Sequence, residues 1–571
     1  MKTLLTHRAS VLHTLLNDAI SLLSRGQTRE ALAKVTKALK LQPGSVAALN
    51  IAGACSHRLG KLKEAEMYWR RALKEDPDYA DGHNNLGILL NQTKRFSEAE
   101  TAWRRALKIR PDHADAHNNL GNLFNQTKRF PEAEAAWRRA VEIRPDHADA
   151  HNNLGNLLNQ TKRFPEAEAA YRRALEIRPD HANAHNNLGN LLKQAKRFSE
   201  AEAAYLNALT FQPDHADALN NLGSLLTQVK RFPDAEVVYR RALAIRPGHA
   251  EACYNLGALL LQTGRLSEGW PLYEARYHED MPGGIVRPSL AYPQWQGESL
   301  ENKSILVHCE QGFGDQIQFV RYVAGLKERG ASRVTLICSA PLRPLFEDIA
   351  GADVVLTTDE LAKALSHDYW TFLLSLPLRL GTTLDSIPAR LPYLKAAPDR
   401  LSVWRPRLPD AKLRVGLVWA GNAAQQNDAN RSLPGLATLA PLWDIHGVHF
   451  VSLQKGQREE EAAAPQSRQW LTHLGADIKD FADSAAIVAQ LDLVICVDTA
   501  IAHLAAALGK PCWILLPSVN AAWRWLDERT DSPWYPGTVR LFRQRHLHDW
   551  APTILEVAQS LRQFCQERRL D

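Results

Sequence analysis

Two short segments carry residue types that could do chemistry, and each begins where an apolar run ends. The first is Glu310-Gln311-Gly312-Phe313-Gly314-Asp315-Gln316, directly after Ser304–Cys309. Glycines at 312 and 314 permit a tight turn and close approach of a ligand to the backbone. A carboxylate at Asp315 could take a proton from a hydroxyl as a new bond forms; the plainer alternative is a helix cap. The second is Asp498-Thr499-Ala500-Ile501-Ala502-His503-Leu504-Ala505, directly after Leu493–Val497. A strand-to-helix junction points free N–H groups and a helix dipole at whatever sits there, which favours phosphate. Thr499 and His503 could then add donors, while the alternative has Asp498 capping the helix and His503 packed inside it. Two cations suit the same task. Arg431 lies in Asn430-Arg431-Ser432-Leu433, and Lys455 lies in Leu453-Gln454-Lys455-Gly456, at the carboxyl end of an apolar run. Ligands of open parallel sheets bind at that end of the strands. A phosphate that departs gains negative charge, and a fixed cation stabilises it without a metal. Asp480 and Asp483 have no comparable positional support.

The elements that must hold these groups are short apolar runs alternating with helical stretches. The runs are Ser304–Cys309, Val334–Cys338, Tyr369–Leu374, Val415–Trp419, Phe450–Leu453, Leu493–Val497 and Cys512–Leu516. Helical stretches fall at Gln316–Arg329, Ala485–Gln490 and Ile501–Leu508. That alternation predicts parallel α/β sheets. Prolines 392, 398, 406 and 409 mark Arg390–Leu413 as a boundary between two such sheets. Two doubly wound halves then face one another across a cleft.

Everything before residue 280 follows a different rule. Pro43, Pro77, Pro111, Pro145, Pro179, Pro213 and Pro247 recur every 34 residues. A period of that length is the mark of a helix–turn–helix solenoid. Within one repeat, Leu154 and Leu157 form an apolar face, Gly155 permits close approach, Thr161-Lys162-Arg163 turns the chain, and Pro165 opens the second helix. Asparagines recur in register at Asn85, Asn119, Asn153, Asn187, Asn221 and Asn255. They are either copied with the repeat to satisfy local groups, or form a ladder of amides that hydrogen-bonds the main chain of a bound segment whatever its sequence. The histidines of the repeats are copied with it too, and none pairs at i, i+4 with a carboxylate as a metal site would require.

Composition excludes several classes. Lys plus Arg number 69 against 63 Asp plus Glu, a net charge of +6. That excess is mild and spread evenly, so nucleic acid is not indicated. No apolar run is long enough to span a membrane. The seven cysteines are scattered without a CxxC pair, which fits a reducing cytoplasm and no disulfide framework. The first residues read as a helix rather than a signal peptide.

The Leu-Gly, Ala, Phe, Ala and Pro pattern resembles the tetratricopeptide repeat, and the asparagine register is similar to that of the protein O-GlcNAc transferases. The Gly314-Asp315 turn and Asp498-Thr499 through His503-Leu504-Ala505-Ala506-Ala507-Leu508-Gly509 and Pro511 resemble the lipopolysaccharide heptosyltransferase family. The fused layout looks like bacterial protein glycosyltransferases, including soluble flagellin glycosyltransferases. This resemblance implies an α-solenoid followed by an α/β GT-B module of two Rossmann-like halves. The expected layout is a repeat superhelix at 1–280, a connector at 281–300, a first half at 301–400 and a nucleotide-sugar-binding half at 411–571. It implies Asp315 as catalytic base; Gly312, Gly314, Arg431, Gln454, Lys455, Asp498, Thr499 and His503 at the donor; and the six asparagines at a protein acceptor. The donor is a nucleotide sugar serving as substrate, with no cofactor and no metal. Two other readings stay open: a repeat scaffold whose module only senses a nucleotide sugar, and transfer to a lipid-linked or saccharide acceptor. The closing segment Trp523-Arg524-Trp525-Leu526 to Trp534-Tyr535-Pro536 either covers a core or forms a stacking wall at the cleft rim.

Overall fold

The computed structural model describes residues 2–281, 283–425, 427–463 and 471–568, and the chain separates into two compact units, Met1–Leu222 and Gly223–Asp571.

The first unit is a stack of helix pairs. One pair is Ala148–Gln160 with Phe164–Ile177; its neighbours include Ala114–Gln126 with Phe130–Ile143 and Ala182–Gln194 with Phe198–Phe211. The first helix of the pair buries Leu154, Gly155, Leu157 and Leu158, and the second buries Ala167, Ala170, Tyr171 and Ala174. Gly155 is required by contact: a Cβ there would lie 2.7 Å from the Tyr171 ring. The same glycine meets Trp103 at Gly87 and Trp137 at Gly121. Neighbouring pairs are stitched by arginines. Arg163 bridges Glu134 of the preceding pair at 2.8 Å and Glu166 of its own at 2.6 Å. One histidine row is consumed locally, since His117, His151 and His185 each bond the carbonyl of the proline six residues earlier at 2.9–3.1 Å, and in the other His113, His147 and His181 face Asp81, Asp115 and Asp149 of the preceding repeat at 3.2–3.3 Å. Among the described residues no group of three His, Cys, Asp or Glu is placed to hold a metal ion.

The turn inside several pairs carries a strained residue. Lys94, Lys128 and Lys162 sit at φ of 60–61°, where the equivalent positions of other pairs hold Gly26, Gly60 and Gly264. A left-handed conformation costs a non-glycine residue roughly 1–2 kcal/mol, more than the extra chain entropy that glycine loses. Changing Lys94, Lys128 and Lys162 together to Gly is therefore expected to raise the melting temperature. An unchanged or lowered midpoint in calorimetry would show that the lysine stems repay the strain.

The second unit begins with the helices Phe232–Ile245, Ala250–Gln262 and Leu266–Tyr273. Two parallel sheets follow among the described residues. The first contains β1 (Ser304–His308), β2 (Arg333–Cys338), β3 (Val354–Thr357) and β4 (Tyr369–Phe372), in the order β3-β2-β1-β4. The second contains β5 (Leu413–Val418), β6 (Val448–Ser452), β7 (Leu471–His473), β8 (Leu493–Val497), β9 (Cys512–Leu516) and β10 (Val539–Arg543), in the order β10-β9-β8-β5-β6-β7. In the first sheet β1 pairs with both β2 and β4, and in the second β5 pairs with both β6 and β8. The winding reverses at β1/β4 and at β5/β8, so a crevice opens at the carboxyl ends of those strands.

The last helix pair is part of this unit's core. Trp270 and Tyr273 are buried with Phe319, Trp523 and Trp534, and the Trp270 indole donates to the Thr382 carbonyl at 3.1 Å. The proline-rich stretch 390–413 is ordered. Tyr393 N–H donates to Ala507 O at 3.1 Å, and the helix Pro398–Trp404 packs on Phe481–Val488, with the Trp404 indole donating to Asp483 at 3.0 Å. Residues from Pro398 onward thus lean on the second sheet's helices, while the Tyr393 hydroxyl also donates to Ile317 O at 3.0 Å and accepts from Arg321 at 2.8 Å in the first half.

Candidate functional site

The turn after β1 and the loops after β5, β6 and β8 converge on one cavity of about 1010 Å³. That volume is at the upper end for small-molecule sites. Gly312, Gly314, Asp315, Arg431, Gln454, Lys455, Asp498, Thr499 and His503 all line it.

The β1 turn is fixed from both sides. Gln316 donates to Gln311 O at 2.9 Å and to Ser339 Oγ at 2.8 Å, and accepts from Ser339 N–H at 3.0 Å. Glu310, immediately before the turn, accepts from the Tyr277 hydroxyl at 2.6 Å and from Leu374 N–H at 3.2 Å. Burial pushes the Glu310 carboxyl up to about 7, against the pull of Arg276. The turn that carries Asp315 is thereby tied to the last repeat and to the end of β4.

The helix that follows is Phe313–Phe319, with Gly312 as its N-cap. Asp315 therefore does not cap the helix. Its carboxylate pairs with Arg524, an ion pair in which both side chains are mostly buried, at 16% and 13% exposure. Gly314 is needed for contact between the two halves: a Cβ there would come 2.9 Å from His503 Cδ2.

The second half meets the cavity with the N-terminus of the helix Ala500–Ala507, whose N-cap is Thr499. The Thr499 hydroxyl is buried without a partner. Burial raises the Asp498 carboxyl, and Arg524 opposes the shift. His503 is buried, its Nδ1 2.9 Å from the Tyr535 hydroxyl and its ring stacked on Trp525 at 5.0 Å. Burial, with Arg524 and Arg321 nearby, holds its pKa well below the usual range. His503 thus packs across from Gly314 while its ring also lines the cavity.

Gln454 also differs from expectation. Its amide oxygen accepts from Trp419 and Ala420 N–H at 3.0 Å, and its nitrogen donates to Ala420 O at 3.0 Å and Gln457 O at 2.8 Å. It clamps the β5 and β6 loops together rather than offering an amide to a ligand. Arg431 lies in the cavity wall, held by Asp428 at 3.1 Å, and Gly421 makes room for its guanidinium. Lys455 is exposed, its ammonium 3.5 Å from Gly475 O.

Several cavity residues were not read from the sequence. Phe313 and Phe481, one from each half, meet edge-on at 5.1 Å. Asp480 caps the helix Phe481–Val488, accepting from Ala482 and Asp483 N–H at 2.9 and 3.0 Å. Arg524 is the most consequential. Its flanking rings Trp523 and Trp525 are buried, as are Trp534 and Tyr535, so the aromatic segment covers a core and is no rim wall. Only the arginine between the two tryptophans is sent into the cavity.

In the first unit the ladder asparagines cross-link the repeats. Asn85, Asn119, Asn153, Asn187 and Asn221 donate to Asn50, Asn84, Asn118, Asn152 and Asn186 of the preceding repeat at 2.9–3.1 Å. Each ladder side chain stays half-buried. A cavity of about 560 Å³ opens beside Asn84, Asn85, Asn118 and Asn119. Asn255 lies on Ala250–Gln262, in the second unit.

Comparison with known proteins agrees with this architecture. The tetratricopeptide repeat profile matches residues 16–80, 78–146, 112–180, 146–214, 180–248 and 231–281. The profile of glycosyltransferase family 9 (heptosyltransferase) matches residues 445–515, which hold β6, β8 and the Asp498 loop. Protein FlbA of Caulobacter vibrioides is 30% identical over 326 residues, 52% of this chain and 53% of that protein. The chain thus spans about half the length of this curated relative. Among solved structures, one described as the functional characterization of Pseudomonas aeruginosa pilF covers 37% of this chain and 96% of its own, at 21% identity and a TM-score of 0.34. YrrB, described as a TPR protein with an unusual peptide-binding site, covers 32% of this chain and 95% of its own, at 23% identity and a TM-score of 0.27. No helix among the described residues is long and apolar enough to cross a membrane. The chain therefore joins an array of tetratricopeptide repeats to an α/β region in which residues 445–515 match glycosyltransferase family 9.

Proposed function

We propose that this protein moves a sugar from a nucleoside diphosphate donor, bound in the cavity between the two sheets, to a serine or threonine hydroxyl of a protein held by the repeats. Flagellin is the first acceptor to try. Asp315 takes the hydroxyl proton as the oxygen attacks the anomeric carbon, and the displacement inverts configuration. The helix N-terminus at Thr499–Ala500, with Arg431 and Lys455, receives the departing diphosphate. The observation that carries this reading is a single cavity lined both by the Asp315 turn of one half and by the Asp498–His503 loop of the other.

The test is an incubation of the purified chain with flagellin and, in turn, UDP-, GDP- and ADP-linked radiolabelled sugars, with EDTA present. One donor is expected to give protein-bound label that alkaline β-elimination releases. No protein-bound label and no binding of any nucleotide would overturn the reading. Label on a saccharide or lipid but never on protein would redirect it to that acceptor.

A further inference from the structure

We propose that Arg524 transfers its charge between two partners: it neutralises Asp315 while the cavity is empty and swings to the diphosphate of the donor when one binds, so that Asp315 becomes a free base only in the donor complex. This rests on the reading of the cavity as a donor site. Three observations carry it. First, Arg524 is the partner of Asp315 and both side chains are largely withdrawn from water. A carboxylate held by a guanidinium is a poor proton acceptor, so the pair must open before Asp315 can act. Second, the Arg524 Nε–H is buried with no partner, and so is the hydroxyl of Thr499. Both residues line the cavity. A buried donor left unmade is costly, and a ligand with oxyanions satisfies it. Third, the charges of the cavity do not otherwise suffice. Arg431 is held by Asp428, Lys455 and Lys479 are exposed, His503 is neutral, and Asp315, Asp480 and Asp498 are acidic. A diphosphate brings further negative charge to this wall, and Arg524 is the buried cation able to meet it. The backbone around it need not move, because Trp523 and Trp525 are anchored in the core while only the side chain between them reaches the cavity.

The arrangement gives the transferase an order of events. With no donor present, the base is masked. With the donor bound, the same movement that holds the leaving group uncovers the base.

Calorimetric titration of the full chain with UDP, GDP and ADP tests this through a double-mutant cycle. The wild type is expected to bind at least one of the three, and Arg524→Gln to bind it about tenfold more weakly or worse, the size of a lost charge-assisted hydrogen bond. Asp315→Asn is expected to tighten binding, because the arginine no longer has to leave a carboxylate. That tightening is expected to be several times larger with Arg524 present than in the Arg524→Gln background. Equal tightening in both backgrounds would mean simple repulsion by Asp315 and would overturn the exchange, while leaving the donor site standing. Failure of the wild type to bind any of the three would overturn the donor site itself, and the exchange with it. If Arg524→Gln does not fold, Arg524→Lys replaces it in both the single and the double variant. The cycle is then read for the same difference in tightening.

Discussion

Replacing Asp315 by Asn is expected to lower kcat for sugar transfer by about 10²–10⁴-fold, the usual contribution of a general base. The variant keeps the shape of the side chain and an oxygen that can still accept from Arg524, so the fold and the binding of donor should survive. It cannot take up the proton of the acceptor hydroxyl. The prediction is sharpened by geometry. Asp315 is not the cap of its helix, since Gly312 occupies that position, so no backbone bond of the helix start depends on the carboxylate. Whatever the substitution removes is therefore owed to the ion pair with Arg524 or to chemistry. The two separate cleanly. Loss of the ion pair shows in thermal melting and in nucleotide binding, whereas loss of the base shows in kcat under saturating donor and acceptor. The product should carry the inverted anomeric configuration, which NMR reads directly. An undiminished kcat in a folded variant would remove Asp315 from the chemistry, and retention of configuration would remove direct displacement.

How far the sequence reaches depends on the range of the interaction in question. The repeat array is legible because each of its contacts is local and copied: Gly155 must meet Tyr171 just as Gly87 meets Trp103. The central strands are legible because both faces are buried, which leaves unbroken apolar runs such as Leu493–Val497. The edge strands other than β4, which lies in the apolar run Tyr369–Leu374, are not. Val354–Thr357 is half-exposed, Leu471–His473 spans three residues, and Val539–Arg543 interrupts its apolar residues with Arg540, which points to solvent. At the cavity, the strand-end loops could be found because open parallel sheets gather their ligand groups there. The fate of individual side chains within those loops could not. Gln454 looks like a ligand amide until its four backbone bonds are seen, and nothing in the sequence says that His503 stacks on Trp525 and meets Gly314. Arg524 was hidden for a stronger reason. Its partner lies 209 residues earlier, and nothing local to Trp523-Arg524-Trp525 says that the rings turn inward and the arginine does not.

Changing Asn119, Asn153, Asn187 and Asn221 together to Ala is expected to raise the KM for a protein acceptor by several hundredfold. The figure follows from about 1 kcal/mol for each lost hydrogen bond. These amides already donate one N–H to the preceding repeat, at 2.9–3.1 Å. That bond fixes each carboxamide in one orientation, so the second N–H of Asn119, Asn187 and Asn221 needs no further ordering before it can meet a peptide carbonyl, while Asn153 also donates to Asn122 at 3.0 Å. Stacked helices repeat at roughly 10 Å and an extended chain advances roughly 3.3 Å per residue, so one amide could serve about every third residue of a bound segment. Because the cross-links also hold the repeats together, the quadruple variant should melt earlier, and affinity alone would not decide the matter. The partner residues supply the control. Asn84, Asn118, Asn152 and Asn186 accept the same bonds but are buried. Changing those four to Ala breaks the same cross-links while leaving the outward amides in place. That variant should melt earlier as well, yet keep a KM much closer to wild type, and a short acceptor peptide should be little affected by either. If both quadruple variants raise the KM equally, the asparagines serve the stack alone and the acceptor is gripped by other groups.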